Sequence, residues 1–178
     1  MDFSTLGRSG LRVSRLCLGT MDFGAGMDET TAAHVIGSAR EAKVNIIDTA
    51  DAYNNGAAES MVGRLIARDR DHWVLATKVG QQDGPPHRKQ GLSRKWMLSA
   101  IDASLKRLGT DYVDIYYMHH RDRETPLIES GEAMRDIVAS GNRRAIAQLE
   151  HGDAELGGWR FVGNRHGRST LVVENDGR

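Results

Sequence analysis

The sequence predicts an α/β fold built on a parallel sheet, and three features point that way. Apolar runs of strand length alternate with stretches whose apolar residues recur every three or four positions. The connections between them are short, as in successive βαβ units. Three of the apolar runs stop abruptly at ionisable side chains: Asp48, Lys78 and His119. In α/β proteins the carboxyl ends of strands are where sites are built.

Taken in order, residues 3–6 and 11–14 flank Gly7-Arg8-Ser9-Gly10 and read as a hairpin. Residues 16–21 (LCLGTM) form a strand with Gly19 near its end, where the absent side chain suits close approach of a backbone or a ligand. Asp28 caps a helix to about residue 42, with Ala32, Val35, Ile36 and Ala39 on one face. Residues 43–48 are the next strand. Residues 46–56 (IIDTADAYNNG) carry it into a polar rim of Asp48, Thr49, Asp51 and Tyr53. The turn Asn54-Asn55-Gly56 follows. Residues 57–67 are helical, with Met61, Leu65 and Ile66 inward, and residues 73–79 (WVLATKV) form a strand carrying Lys78 near its end. A loop over 80–91 holds Pro85-Pro86. Ser93 caps a helix that ends at Gly109, with Leu98, Ile101, Leu105 and Leu108 at helical spacing. Residues 112–118 (YVDIYYM) form a strand running into His119-His120, a helix over 126–140 stops at Gly141, and residues 145–149 read as a further strand.

The chain of 178 residues is long enough for one domain with a sizeable core. Its 39% hydrophobic and 27% charged residues place it among soluble globular chains. Lys+Arg 24 against Asp+Glu 24 leaves no electrostatic footprint for nucleic acid or an anionic membrane. No run approaches the ~18 apolar residues of a membrane helix, and the amino terminus has no signal-peptide pattern. The single Cys17 has no internal disulfide partner and, in an apolar run, reads as a small buried hydrophobe. A reducing cytoplasm is the expected setting. No GxGxxG, GxxxxGK[ST], HExxH, CxxC or GxSxG pattern is present. No metal is expected at His119-His120 and Asp122, because adjacent residues of a strand point to opposite faces.

Asp48, Tyr53, Lys78 and His119 make chemical sense together. A tyrosine hydroxyl, with a pKa near ~10, exchanges protons poorly at neutral pH. A nearby ammonium favours the phenolate, a carboxylate keeps that ammonium charged and oriented, and a histidine at the same rim can donate a hydrogen bond to a substrate oxygen. The alternative is a buried Asp–Lys pair with a structural histidine and tyrosine.

Long stretches of the chain resemble the aldo-keto reductases, most closely the branch similar to potassium-channel β-subunits and bacterial general-stress reductases. They are LGRSGLRVSRLCLGTMDFG at 6–24, NIIDTADAYNNGAAESMVG at 45–63, WVLATKVG at 73–80, GLSRKWMLSAIDASLKRLGTDYVDIYYMH at 91–119 and TPLIE at 125–129. The resemblance implies a (β/α)8 TIM-barrel type fold, preceded by an N-terminal β-hairpin, that binds NADPH at its carboxyl-end face. It implies reversible reduction of small aldehydes and ketones by hydride transfer. Asp48 and Tyr53 match the family's DxxxxY pair, Tyr53 being the proton donor. Lys78 matches its lysine and His119 its histidine. Gly19, Thr20 and Met21 resemble the first-strand contacts to the cofactor, which Asp48 also lines.

The departures begin after Gly141. Gln148, Leu149 and Glu150 stand where the family places a Ser-Asn pair for the nicotinamide carboxamide. Residues 159–178 look like the following helix and sixth strand, with Asn175 near the usual cofactor-binding Gln and Arg178 near the usual stacking Tyr. A complete barrel takes about 250 residues. The expectation is therefore one incomplete barrel domain over 1–178, of about six β/α units and without the last two, with weak or absent NADPH binding. Its open edges would favour homo-oligomers. An inactive remnant or a binding module of the same fold, or a truncated product, are the competing expectations.

Overall fold

In this computed structural model the described residues are 1–6, 9–81, 91–120 and 122–140, together with the backbone of three further short strands. The hairpin forms as β1 (Phe3–Thr5) and β2 (Arg12–Ser14), paired antiparallel. Then come β3 (Leu18–Gly19), α1 (Glu29–Glu41), β4 (Ile46–Asp48), α2 (Ala57–Ile66), β5 (Val74–Val79), α3 (Arg94–Leu108), β6 (Ile115–Met118), α4 (Leu127–Ala139) and β7 (Ile146–Leu149). The strands β3 to β7 make one parallel sheet whose spatial order is their chain order. A doubly wound sheet reverses its strand order at a switch point. This one does not, and a helix returns the chain between each pair of neighbours, which is the winding of a (β/α) barrel.

The period of two along each strand sorts the side chains. Ile47, Leu75, Tyr116 and Met118 face outward into the main core, where they meet Ile36, Val62, Ile101 and Met134 of the helices. Ile46, Val74, Ala76 and Ile115, from the starts of the strands, face inward and pack with Val13, Leu6 and Leu11 of the hairpin. The hairpin thus closes the amino end of the barrel interior. Asn45 stitches it there: its side chain accepts from the Ser14 N–H at 2.7 Å and donates to the Arg12 carbonyl at 3.0 Å. Asp28 caps α1 by accepting from the Thr31 N–H at 2.8 Å. Helices α2 and α3 approach so closely that a Cβ on Gly63 would run into the Leu108 carbonyl.

Several expectations need correction. Residues 112–114 are not strand, because the Asp114 carboxylate itself accepts the Leu75 N–H at 2.9 Å while binding Arg70 at 2.9 Å. Cys17 is exposed rather than buried. It shares the inward parity of Gly19 and stands in the concavity of the sheet, close to protein yet reached by solvent. His119 and His120 do not diverge to opposite faces: both lie past the end of β6, and their rings stack 4.7 Å apart. Trp159–Arg160 is a strand, β9, antiparallel to β8 (Glu155–Leu156), where a helix was expected. Residues 161–178, with Asn175 and Arg178, lie outside the described residues, as do Gly7, Arg8, Pro85-Pro86, Gly141 and Glu150.

Candidate active site

Sheet register brings the rim residues together. Gly19 of β3 pairs with Asp48 of β4, and Asp48 with Ala76 of β5, so Lys78 stands two positions further along on the same inner face. Lys78 pairs with Tyr117 of β6, and the His119 N–H donates to the Val79 carbonyl at 2.7 Å. All four predicted strand ends therefore lie at the carboxyl end of one sheet.

The Lys78 ammonium makes three hydrogen bonds: to Asp48 Oδ2 at 2.6 Å, the Thr49 carbonyl at 2.8 Å and the Tyr53 hydroxyl at 3.1 Å. An ammonium has three donors, so each is engaged and its position is set. Tyr53 presents its ring face to the same cation, 4.7 Å from centroid to Nζ, and meets His119 edge-on at 5.8 Å. The chain can turn here because Asn54, Asn55 and Gly56 take positive φ values of 52°, 54° and 84°. Those are residue types that tolerate the left-handed region. Asn54 Nδ2 then donates to the carbonyls of Met21 and Phe23, each at 2.8 Å, tying the Tyr53 loop to the end of β3.

Electrostatics differ from group to group. Burial pushes the Asp48 carboxyl up, against the pull of Lys78. Burial, then the charge of Lys78, lowers the His119 imidazole to about 4, so it is neutral at physiological pH, and its Nδ1 is buried without a hydrogen bond. Loss of hydration in the concavity, then the Asp48 carboxylate, pushes the Cys17 thiol up to about 12.

A cavity of about 270 Å³ opens beside this cluster, lined by Gly19, Thr20, Met21, Asp48 and Tyr53 among others. A Cβ on Gly19 would meet nothing within 4 Å. Thr20 is buried and its N–H and hydroxyl both donate to the Asp48 carbonyl, at 3.1 and 3.0 Å, so its polar atoms hold the sheet together. Met21 is 64% exposed. Of the expected cofactor contacts, Asn175 lies outside the described residues; Gln148 and Leu149 sit in β7, opposite Tyr117 and Met118.

Two carboxyls have no role in the sequence reading: Asp51, which it places in the polar rim, and Glu59. Asp51 lies inside the rim motif, with Oδ1 buried and unbonded, and is pushed up to about 7 by burial and by Glu59. Glu59 is wholly buried behind β5. The signal for it was present: residues 59, 62, 63 and 66 share a helical face, so one carboxylate falls in an otherwise apolar stripe.

The sequence profile of the Aldo/keto reductase family matches residues 15–154. The chain belongs to the aldo/keto reductase family. Among the members it resembles is the uncharacterised oxidoreductase YrpG of Bacillus subtilis, 41% identical over 91% of this chain and 52% of that protein. A probable voltage-gated potassium channel subunit beta of Arabidopsis thaliana is 39% identical over 79% of this chain and 44% of its own length. The holo form of the aldo-keto reductase AKR11C1 from Bacillus halodurans superposes with a TM-score of 0.72 at 35% identity, covering 83% of this chain and 50% of that one. The chain thus spans about half the length of the relatives it matches, and its sheet is part of a (β/α)8 barrel. Among the described residues no helix is long and apolar enough to cross a membrane.

Proposed function

We propose that this aldo/keto reductase chain reduces aldehyde or ketone carbonyls with NADPH, using Tyr53 as the proton donor. The observation that carries the reading is the Lys78 ammonium held between Asp48 Oδ2 and the Tyr53 hydroxyl at the mouth of the barrel. The cavity lined by Gly19, Asp48 and Tyr53 fits a ligand seated at that rim. When bound, NADPH supplies the hydride that becomes the new C–H bond.

Tyr53 gives its hydroxyl proton to the carbonyl oxygen, and solvent later restores it. The Lys78 ammonium stabilises the phenolate left behind. Asp48 and the Thr49 carbonyl hold that ammonium in place. His119, neutral, donates a hydrogen bond that orients and polarises the carbonyl without competing for the proton. A cytoplasmic setting and a small-molecule substrate belong to the same reading. The plant channel subunits among the relatives favour a second one, a binding module without turnover.

The test is Tyr53→Phe, which keeps the ring and removes the proton. Carbonyl reduction should fall by about 10²–10⁴ while NADPH titration changes little. Combining it with Lys78→Met should add almost nothing, since both remove one proton transfer. A folded Tyr53→Phe chain with undiminished reduction would rule out the assignment. A wild-type chain that binds NADPH but never turns over would favour the binding module.

A further inference from the structure

Thr77 and Lys78 are neighbours in β5, so they face opposite sides of the sheet. Lys78 points inward to Tyr53. Thr77 points outward and is fully buried, and its hydroxyl donates to Glu59 Oε1 at 2.6 Å. The second oxygen, Oε2, accepts from Arg107 Nε of α3 at 2.6 Å, and Arg107 also donates to Ser104 Oγ at 3.1 Å. Glu59 sits in the first turn of α2, directly after the Tyr53 loop. That loop closes onto Arg107 itself: Gly56 packs against the Arg107 side chain so tightly that a Cβ would collide with it. One buried carboxylate therefore ties together the strand carrying Lys78, the helix that begins where the Tyr53 loop ends, and α3.

Packing alone does not call for a carboxylate here. An apolar side chain of similar size commonly serves a core as well or better than a buried ion pair. What the carboxylate adds is direction, through two charge-assisted hydrogen bonds of set geometry. The bond from Thr77 ties α2 to β5 beside Lys78, whose Nζ stands 3.1 Å from the Tyr53 hydroxyl, and the bond from Arg107 ties α2 to α3. We infer that Glu59, through Thr77 and braced by Arg107, is a positioning residue for the Lys78–Tyr53 pair. This role rests on the proposed reading of that pair.

The experiment uses the whole chain with carbon-13 at the hydroxyl-bearing ring carbon of its four tyrosines. The Tyr53 resonance is assigned by its loss in Tyr53→Phe. Lys78→Met shows how far that resonance moves when the ammonium is gone. Thr77→Val swaps hydroxyl for methyl in the same branched shape and should move the Tyr53 resonance in the same direction, by roughly a third or more of that displacement, because the interaction weakens with distance. Thr77→Ser, which keeps the hydroxyl, should leave it in place. Glu59→Gln should move it as Thr77→Val does; if that variant does not fold, Thr77→Val decides. A merely structural role predicts a lower melting temperature for Thr77→Val with the resonance unmoved, and that result overturns the inference. If Lys78→Met itself leaves the Tyr53 resonance unchanged, the pair is uncoupled, and the proposed function falls along with the inference.

Discussion

Two ion pairs stand back to back across β5, and they are finished to different degrees. Behind the strand, Glu59 is 0% exposed and both of its oxygens are engaged, by Thr77 and Arg107. In front, Lys78 and Asp48 keep 14% and 26% of their side chains exposed. Beside the front pair, His119 Nδ1 is buried without a hydrogen-bond partner, whereas the unbonded Asp51 Oδ1 feels Glu59 and Arg107 more than Lys78. What separates the two pairs is exposure: the rear carboxylate is sealed from solvent, and both members of the front pair are reached by it.

The sharpest break of that comparison is to remove one member of each pair and measure turnover and urea unfolding together. Lys78→Met should lower carbonyl reduction by about 10²–10⁴ while costing little stability, since the partly exposed Asp48 can take up water or a proton. Glu59→Ala should do the reverse, costing about 3 kcal/mol as Thr77 and Arg107 lose their acceptor, with a smaller loss of turnover. Equal effects on both quantities in both variants would erase the distinction.

Asp51 sharpens it further. Its carboxyl is pushed up to about 7, first by burial and next by Glu59, above its ordinary value. The folded chain thus holds this proton more tightly than the unfolded chain. The resulting stability is present below about pH 4 and is lost as pH rises through about 7. Asp51→Asn should therefore be more stable than the parent at pH 8, by about 1–3 kcal/mol, and nearly equal to it near pH 4. A constant difference across that range would place the titration elsewhere.

The smallest effect expected is at His119, and its sign is opposite. Burial and Lys78 hold the imidazole at about 4, below its ordinary value, so the unfolded chain takes the proton more readily. Stability should fall as pH drops from about 6.5 to about 4, by about 1–2 kcal/mol once partial exposure is allowed for. His119→Asn should lose less over the same interval. Denaturant unfolding at several pH values checks both variants.

Much of this was legible in the sequence. The alternation of periods two and three to four marked every helix and parallel strand from β3 to β7, and the abrupt ends at Asp48, Lys78 and His119 marked the rim. Those signals are local, and the sheet follows chain order, so little long-range information was needed. What escaped depends on partners distant in the chain. Asp114 leaves the strand because its carboxylate takes over a ladder bond to Leu75. Cys17 sits in an apolar run, but inward parity near the rim places it in the concavity rather than in the helix-packed core. Glu59 falls in the apolar stripe of α2, but its partners Thr77 and Arg107 lie 18 and 48 residues further along the chain.

The order of the sheet also bears on how the molecule is made. Each strand from β4 to β7 pairs with the one synthesised just before it. Such a sheet can grow from one end while the chain is still leaving the ribosome, and domains do tend to fold in that direction during synthesis. Asp48 and Tyr53 emerge before Lys78, so as β5 docks on β4 an ammonium arrives where a carboxylate and a hydroxyl already wait. Arg107 comes later, and until α3 docks Glu59 has only Thr77. The front pair is thus complete one β/α unit earlier in biosynthesis than the joint that stands behind it.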